Sequence, residues 1–161
     1  MDVSTFYALF STTCFTLTGL WWNVVRVRTD WSADPAMRRT IGGIYLSFLL
    51  PALMGLFAQV GGTENPILWR APFVVIAVVG GVSMLRLVSR SRRDGTTAAV
   101  RWTQAGTIVI YGAIAVIGVA PQVAEPAGLK PIQVEALLLI ALVALGHALV
   151  WRFLVTENVV E

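Results

Sequence analysis

The chain has 161 residues, of which 57% are hydrophobic and 13% charged, about half the charged share of a soluble domain. With a mean hydropathy of +0.75, this excludes a soluble fold and leaves almost no sequence for a separate water-soluble module. The net charge of +3 does not point to nucleic acid, because the arginines all lie at the ends of apolar segments and in loops, where membrane insertion places them.

Five apolar segments follow one another, at about 4–25, 41–60, 66–88, 103–120 and 131–155, each near the ~20 residues needed to cross a ~30 Å hydrocarbon layer as a helix. The expected fold is all-α: a single polytopic transmembrane domain over 1–161, an integral membrane bundle of five transmembrane helices. Of the twelve Lys and Arg residues, ten fall on one side of this arrangement and two, Arg70 and Lys130, on the other. That bias predicts an external N-terminus and a cytoplasmic C-terminus, in a multi-pass protein of the plasma membrane, or of the inner membrane in a bacterium.

The first segment has no basic stretch before it and is too long for a signal-peptide core, so it is expected to remain in the mature protein. It is rich in hydroxyls. At 100° per residue Thr5, Thr12, Thr16 and Asn23 fall in a narrow arc, which can line a hydrated path. Alternatively, each hydroxyl bonds back to the carbonyl one turn earlier and hides its polarity. Cys14 is the only cysteine, which rules out an intrachain disulfide and a thiolate metal cluster. Trp21 and Trp22 with Trp102 and Trp151 fall near the expected inner interface and Trp69 near the outer one, as in aromatic belts. Trp31 is in the first inner loop.

Asp34 before Pro35 and Asn65 before Pro66 read as N-caps with proline at the first helical position, where its missing N–H costs nothing. The second segment carries Gly43, Ser47, Pro51, Gly55 and Gln59 at four-residue spacing, a stripe of small and polar residues suited to close helix approach. Pro51 cannot donate to the Ser47 carbonyl. The freed acceptor is either satisfied locally or offers a solute or ion site with Ser47 and Gln59. In the third segment Ala77 and Gly81 form a small-xxx-small pair, and Arg86, Arg90 and Arg93 share a face suited to anionic lipid headgroups. In the fourth, Gly106, Ala113 and Ala120 repeat every seven residues.

The fifth segment is expected to start at Pro131, after the breaker-rich stretch 121–128. Glu135 lies one turn inside that start, and with Asp2, Glu64 and Glu125 makes the outer face acidic. His147 is the only histidine, and Trp151 follows one turn later on the same face. This HxxxW order resembles the selectivity-and-gate pair of the influenza virus proton channel, also carried on a helix running outside to inside. The resemblance covers two residues, and the acidic position that follows there is Leu154 here. It implies a titrating imidazole with an indole stopper; the alternative is an interhelical histidine beside an interfacial tryptophan.

One histidine and one cysteine leave no metal triad and no bis-histidine haem site, so no cofactor, no metal and no enzymatic activity are expected. Two functions fit: a channel or transport protein that conducts a small ion, cation or proton, or a small solute, as a homo-oligomer; or a non-catalytic accessory or scaffold subunit docked on a partner membrane protein. The partners expected are membrane lipids and membrane protein, with no nucleic acid.

Overall fold

The computed structural model describes residues 2–28, 31, 35–61, 65–91 and 98–157, the side chains of 36, 90, 91, 98–100, 125, 127, 156 and 157 excepted. Within these residues the chain forms five α-helices: α1 (Val3–Val27), α2 (Pro35–Gly61), α3 (Pro66–Ser91), α4 (Ala98–Val119) and α5 (Pro131–Glu157). A 3-10 helix, Pro121–Ala127, links α4 to α5. Four of the five contain stretches long and apolar enough to cross a membrane: Met37–Gly61, Pro66–Ser89, Arg101–Val119 and Pro131–Val155. They mark a membrane protein. α1 has 25 residues and matches the others in length, but its seven Ser and Thr residues and Asn23 make it less apolar.

Helix starts follow the proline signals. α2 begins at Pro35; its expected cap, Asp34, lies outside the described residues. α3 begins at Pro66, and the Asn65 carbonyl accepts the Leu68 N–H at 3.0 Å. α5 begins at Pro131, where the Lys130 N–H donates to Gln133 Oε1 at 2.9 Å and the Lys130 carbonyl accepts from Gln133 N–H at 2.8 Å. This is the backbone half of a capping box. Gly128, at φ 66°, makes the left-handed turn before it. α4 starts at Ala98, earlier than Thr103, because Arg101 and Trp102 extend the helix beyond its apolar stretch. α2 continues through Pro51.

α2 is the centre of the bundle, packed on α1, α3 and α5; α3 packs on α4, α4 on α5, and α1 touches α5 only narrowly. Successive helices joined by short connections run antiparallel, so α1, α3 and α5 all start at one end, here the upper end. Each of three helices offers a seam stepping by three and four residues, the repeat that keeps one face inward. On α1 it is Tyr7, Ser11, Cys14, Thr18 and Trp21. On α4 it is Gln104, Thr107, Tyr111, Ile114 and Gly118, and on α5 Ile132, Glu135, Leu139, Leu142 and Gly146.

Two apolar clusters fill the bundle. Tyr7, Met54, Trp69, Phe73, Tyr111, Ile114 and Leu139 belong to one, and Trp21, Trp31, Ile41, Ile44 and Phe48 form the lower one. Three tryptophans expected at the interface or in a loop are therefore core residues: Trp21, Trp31 and Trp69 are buried, whereas Trp22, Trp102 and Trp151 are exposed. An indole has a large apolar body to bury and can keep its N–H bonded inside a core. Trp21 Nε1 donates to the Ile41 carbonyl at 3.2 Å, and Trp31 sits edge-on to Phe153 at 5.0 Å with the Arg28 guanidinium 5.3 Å from its ring centre.

Close approach is tightest at three glycines, Gly55, Gly80 and Gly118. A Cβ on Gly55 would strike Ser11 Oγ of α1 and come within 3.3 Å of Phe10. On Gly80 it would enter the Tyr111 ring of α4, 2.7 Å from Cε1. Thus α3 approaches α4 at Gly80, with Gly81 3.6 Å from the Tyr111 Cβ.

Candidate functional site

The polar stripe of α1 lies on the outside of this bundle. Thr5, Thr12, Thr16 and Asn23 are all exposed. Thr12 donates to the Ala8 carbonyl and Thr16 to that of Thr12, each at 2.9 Å, and Asn23 Nδ2 to Gly19 at 3.2 Å. Thr12, Thr16 and Asn23 thus spend a donor on their own helix, and all four residues face away from the interior of the chain.

The α2 stripe divides. Gly43 and Gln59 are exposed, with nothing within 4 Å of a Gly43 Cβ. Ser47 is half-buried, donates to the Ile44 carbonyl at 2.7 Å and packs opposite Gly146. Pro51 is fully buried. The stripe is not one continuous face because its four-residue spacing drifts around a 3.6-residue helix.

His147 and Trp151 are both exposed on α5. The imidazole Nδ1 lies 3.0 Å from the Val143 carbonyl and its ring stands edge-on to Phe48 at 5.2 Å. Arg86 is exposed; the Arg90 side chain and Arg93 lie outside the described residues, as do Glu64 and the Glu125 side chain.

Glu135 stands apart. It is 0% exposed, and neither carboxyl oxygen has a hydrogen-bond partner. It is about 6 Å inside the start of α5, at 1.5 Å per residue. Tyr7, also 0% exposed, reaches across from α1 and donates its hydroxyl to the Ile132 carbonyl at 2.7 Å, one turn above Glu135 on the same seam.

The nearby cations do not pair with the carboxyl. Arg70 spends its guanidinium on the C-terminal carbonyls of α4, Nε on Gly118 at 2.7 Å and Nη2 on Val119 at 3.0 Å, a favourable cap for a helix C-terminus. Lys130 is exposed. An unpaired ionised carboxylate is among the costliest groups to bury, which singles Glu135 out among the buried residues as the candidate functional group.

Two further features lie elsewhere in the bundle. Between α1 and α5, below Tyr7, an open groove of about 290 Å³ is lined by Phe6, Leu9, Phe10, Thr13, Cys14, Ile140 and Val143. On the lower half of α4, Thr103, Gln104 and Thr107 are buried, and Gln104 Oε1 has no partner. Sequence reasoning missed Gln104; its signal was the seven-residue step to Tyr111 and again to Gly118. Among the described residues no group of three or more His, Cys, Asp or Glu side chains is placed to hold a metal ion.

No family model matches the chain, and neither a curated protein nor a solved structure matches it.

Proposed function

We propose that this is a five-span protein of the plasma membrane that moves a small cation or a proton across it without catalysing a reaction, and that Glu135 is the group that binds it. The observation that carries this reading is the Glu135 carboxyl: wholly buried, on the core seam of an apolar helix, with both oxygens free of partners. Ionisable side chains inside membrane bundles mark ion or proton pathways. The site moves from His147 and Trp151, which lie on the surface, to the upper end of α5.

α1 completes five spans in this reading. Four of its hydroxyls, Thr12, Thr13, Thr16 and Thr18, are back-bonded, and its buried seam packs on α2, with Ser11 Oγ donating to the Ala52 carbonyl at 3.2 Å. The ten-to-two distribution of Lys and Arg puts the upper end outside and the C-terminus in the cytoplasm. A reporter active only outside the cytoplasm, fused after Glu161, should be silent; strong activity would overturn the topology.

The test of function is flux. Purified protein in proteoliposomes should dissipate an imposed proton or monovalent-cation gradient faster than empty vesicles, and Glu135→Gln should return the rate to background while eluting as a folded species. Absence of flux from the wild type would favour the second reading, an accessory subunit. One observation supports that alternative: His147 and Trp151 place a polar and an aromatic group together on the bundle surface, where another membrane chain can dock. A different chain co-purifying in fixed stoichiometry would establish it, and a defined homo-oligomer would count against it.

A further inference from the structure

Resting on the transport reading of Glu135, we propose that its ligand is the proton and that Tyr7 is a positioning residue whose hydroxyl changes acceptor, from the Ile132 carbonyl to the Glu135 carboxylate, when the proton leaves.

The donor set argues for the proton. A metal cation stripped of water needs a shell of several oxygens from carboxylates, carbonyls or retained water. Among the described residues around Glu135 the chain supplies one carboxyl. Its neighbours along the seam, Ile132 and Leu139, are apolar side chains, and the same core holds Met54 and Ala58 from α2, Trp69 and Phe73 from α3 and Ile114 from α4. The one nearby carbonyl with a known side-chain partner, that of Ile132, already accepts from Tyr7. A proton requires a single lone pair.

The geometry argues for Tyr7. From α1 it is the buried titratable group, and its hydroxyl is bonded to the α5 backbone one turn above Glu135. From α3, Arg70 is turned to the end of α4; from α4, Tyr111 lies against Gly80; α2 presents apolar side chains. The acceptor is the Ile132 backbone carbonyl, which in a helix points along the axis toward the positions three and four residues on, so Glu135 is a side chain that the phenol meets on swinging past it.

On release the carboxylic O–H bond breaks, its electron pair stays on the carboxylate, and the proton passes to water at the upper mouth. Tyr7 keeps its own proton throughout. A hydrogen bond to a carboxylate is roughly twice as strong as one between neutral groups, which drives the exchange, and the Ile132 carbonyl retains its place in the helical ladder.

Infrared difference spectroscopy in lipid, with ring-labelled tyrosine and across a pH series, tests this on the wild type, Glu135→Gln and Tyr7→Phe. The wild type should show a carboxylic C=O band lost on alkaline titration and missing from Glu135→Gln. A tyrosine band should move at the same pH and stay still in Glu135→Gln. In Tyr7→Phe the carboxylate lacks a donor, so the C=O midpoint should move up by about one pH unit or more.

Coincident midpoints in wild type and Tyr7→Phe, or a wild-type tyrosine band indifferent to the titration, would overturn the role of Tyr7; the latter needs no variant to fold. A C=O band indifferent to pH, or one displaced by adding Na⁺ at constant pH, would overturn the proton. Proteoliposome flux separates the two levels. A titrating band without flux leaves the proton site and removes transport, whereas flux with coincident midpoints leaves transport and removes the switch.

Discussion

The Tyr7 hydroxyl donates to the Ile132 carbonyl at 2.7 Å across 125 positions of sequence, joining the first helix to the last. It makes α1 and α5 parallel neighbours at the upper end, and the burial of Tyr7 depends on that docking. Tyr7→Phe keeps the ring and its edge-on contact with Phe6 at 5.2 Å. It should therefore cost only about 1 kcal/mol, the net worth of a neutral hydrogen bond. Tyr7→Ala empties a fully buried site and should cost about 3–5 kcal/mol. Chemical unfolding in detergent, comparing the two, checks the ratio; equal losses would mean that the ring contributes nothing to docking α1.

Two glycines of one sequence stripe should behave oppositely. Gly55 has α1 against it, where a Cβ would strike Ser11, while Gly43 faces open space. Gly55→Leu should destabilise the bundle by about 1–3 kcal/mol through overpacking. Gly43→Leu should stay within about 0.5 kcal/mol of wild type, as substitutions away from packed sites do. A thermal-shift comparison decides it, and a large loss at Gly43 would reveal a neighbour outside this chain, as a homo-oligomer supplies.

How far the sequence could be read follows from which signals survive in lipid. Pro35, Pro66 and Pro131 announced the helix starts because a missing N–H is harmless only there. The face each helix turns inward was harder to read, because lipid is as apolar as the core and polarity no longer separates inside from outside. Thr12 and Thr16 look like a polar lining on a helical wheel, yet their hydroxyls bond within α1 and face outward. The true seam of α1 mixes Tyr7, Cys14 and Trp21 with Ser11 and Thr18, chosen by fit to α2 and α5. Glu135 was legible as a carboxyl near a mouth; that it is wholly buried follows from the packing of α5 on α2 and α4, which are far away in sequence or not marked by any local pattern.

His147 supplies a prediction that separates surface from site. Its ring is exposed and bonded to its own helix, and Trp151 is 71% exposed one turn below. If transport runs through Glu135, His147→Ala and Trp151→Ala should each leave the pH profile of flux within about 0.2 units of wild type, because neither group contributes to the titration of the site. A profile displaced in either variant would return the pathway to the surface of α5, and so to an interface between chains.

Glu135→Leu should uncouple stability from activity. Replacing a buried polar group whose partners are missing by an apolar one of similar size is commonly neutral or stabilising by about 1–3 kcal/mol, since a desolvation cost disappears and no hydrogen bond is lost. Neither Glu135 oxygen has a partner to lose, and the Tyr7 hydroxyl keeps its acceptor at Ile132. The variant should thus unfold at the same or higher denaturant concentration while its proteoliposomes leak no faster than empty ones. Such a trade of stability for activity is common where a functional group is held in an unfavourable place. Unfolding of the leucine variant at clearly lower denaturant would mean that the carboxyl holds the fold together, and Glu135 would then be a structural residue with no claim on transport.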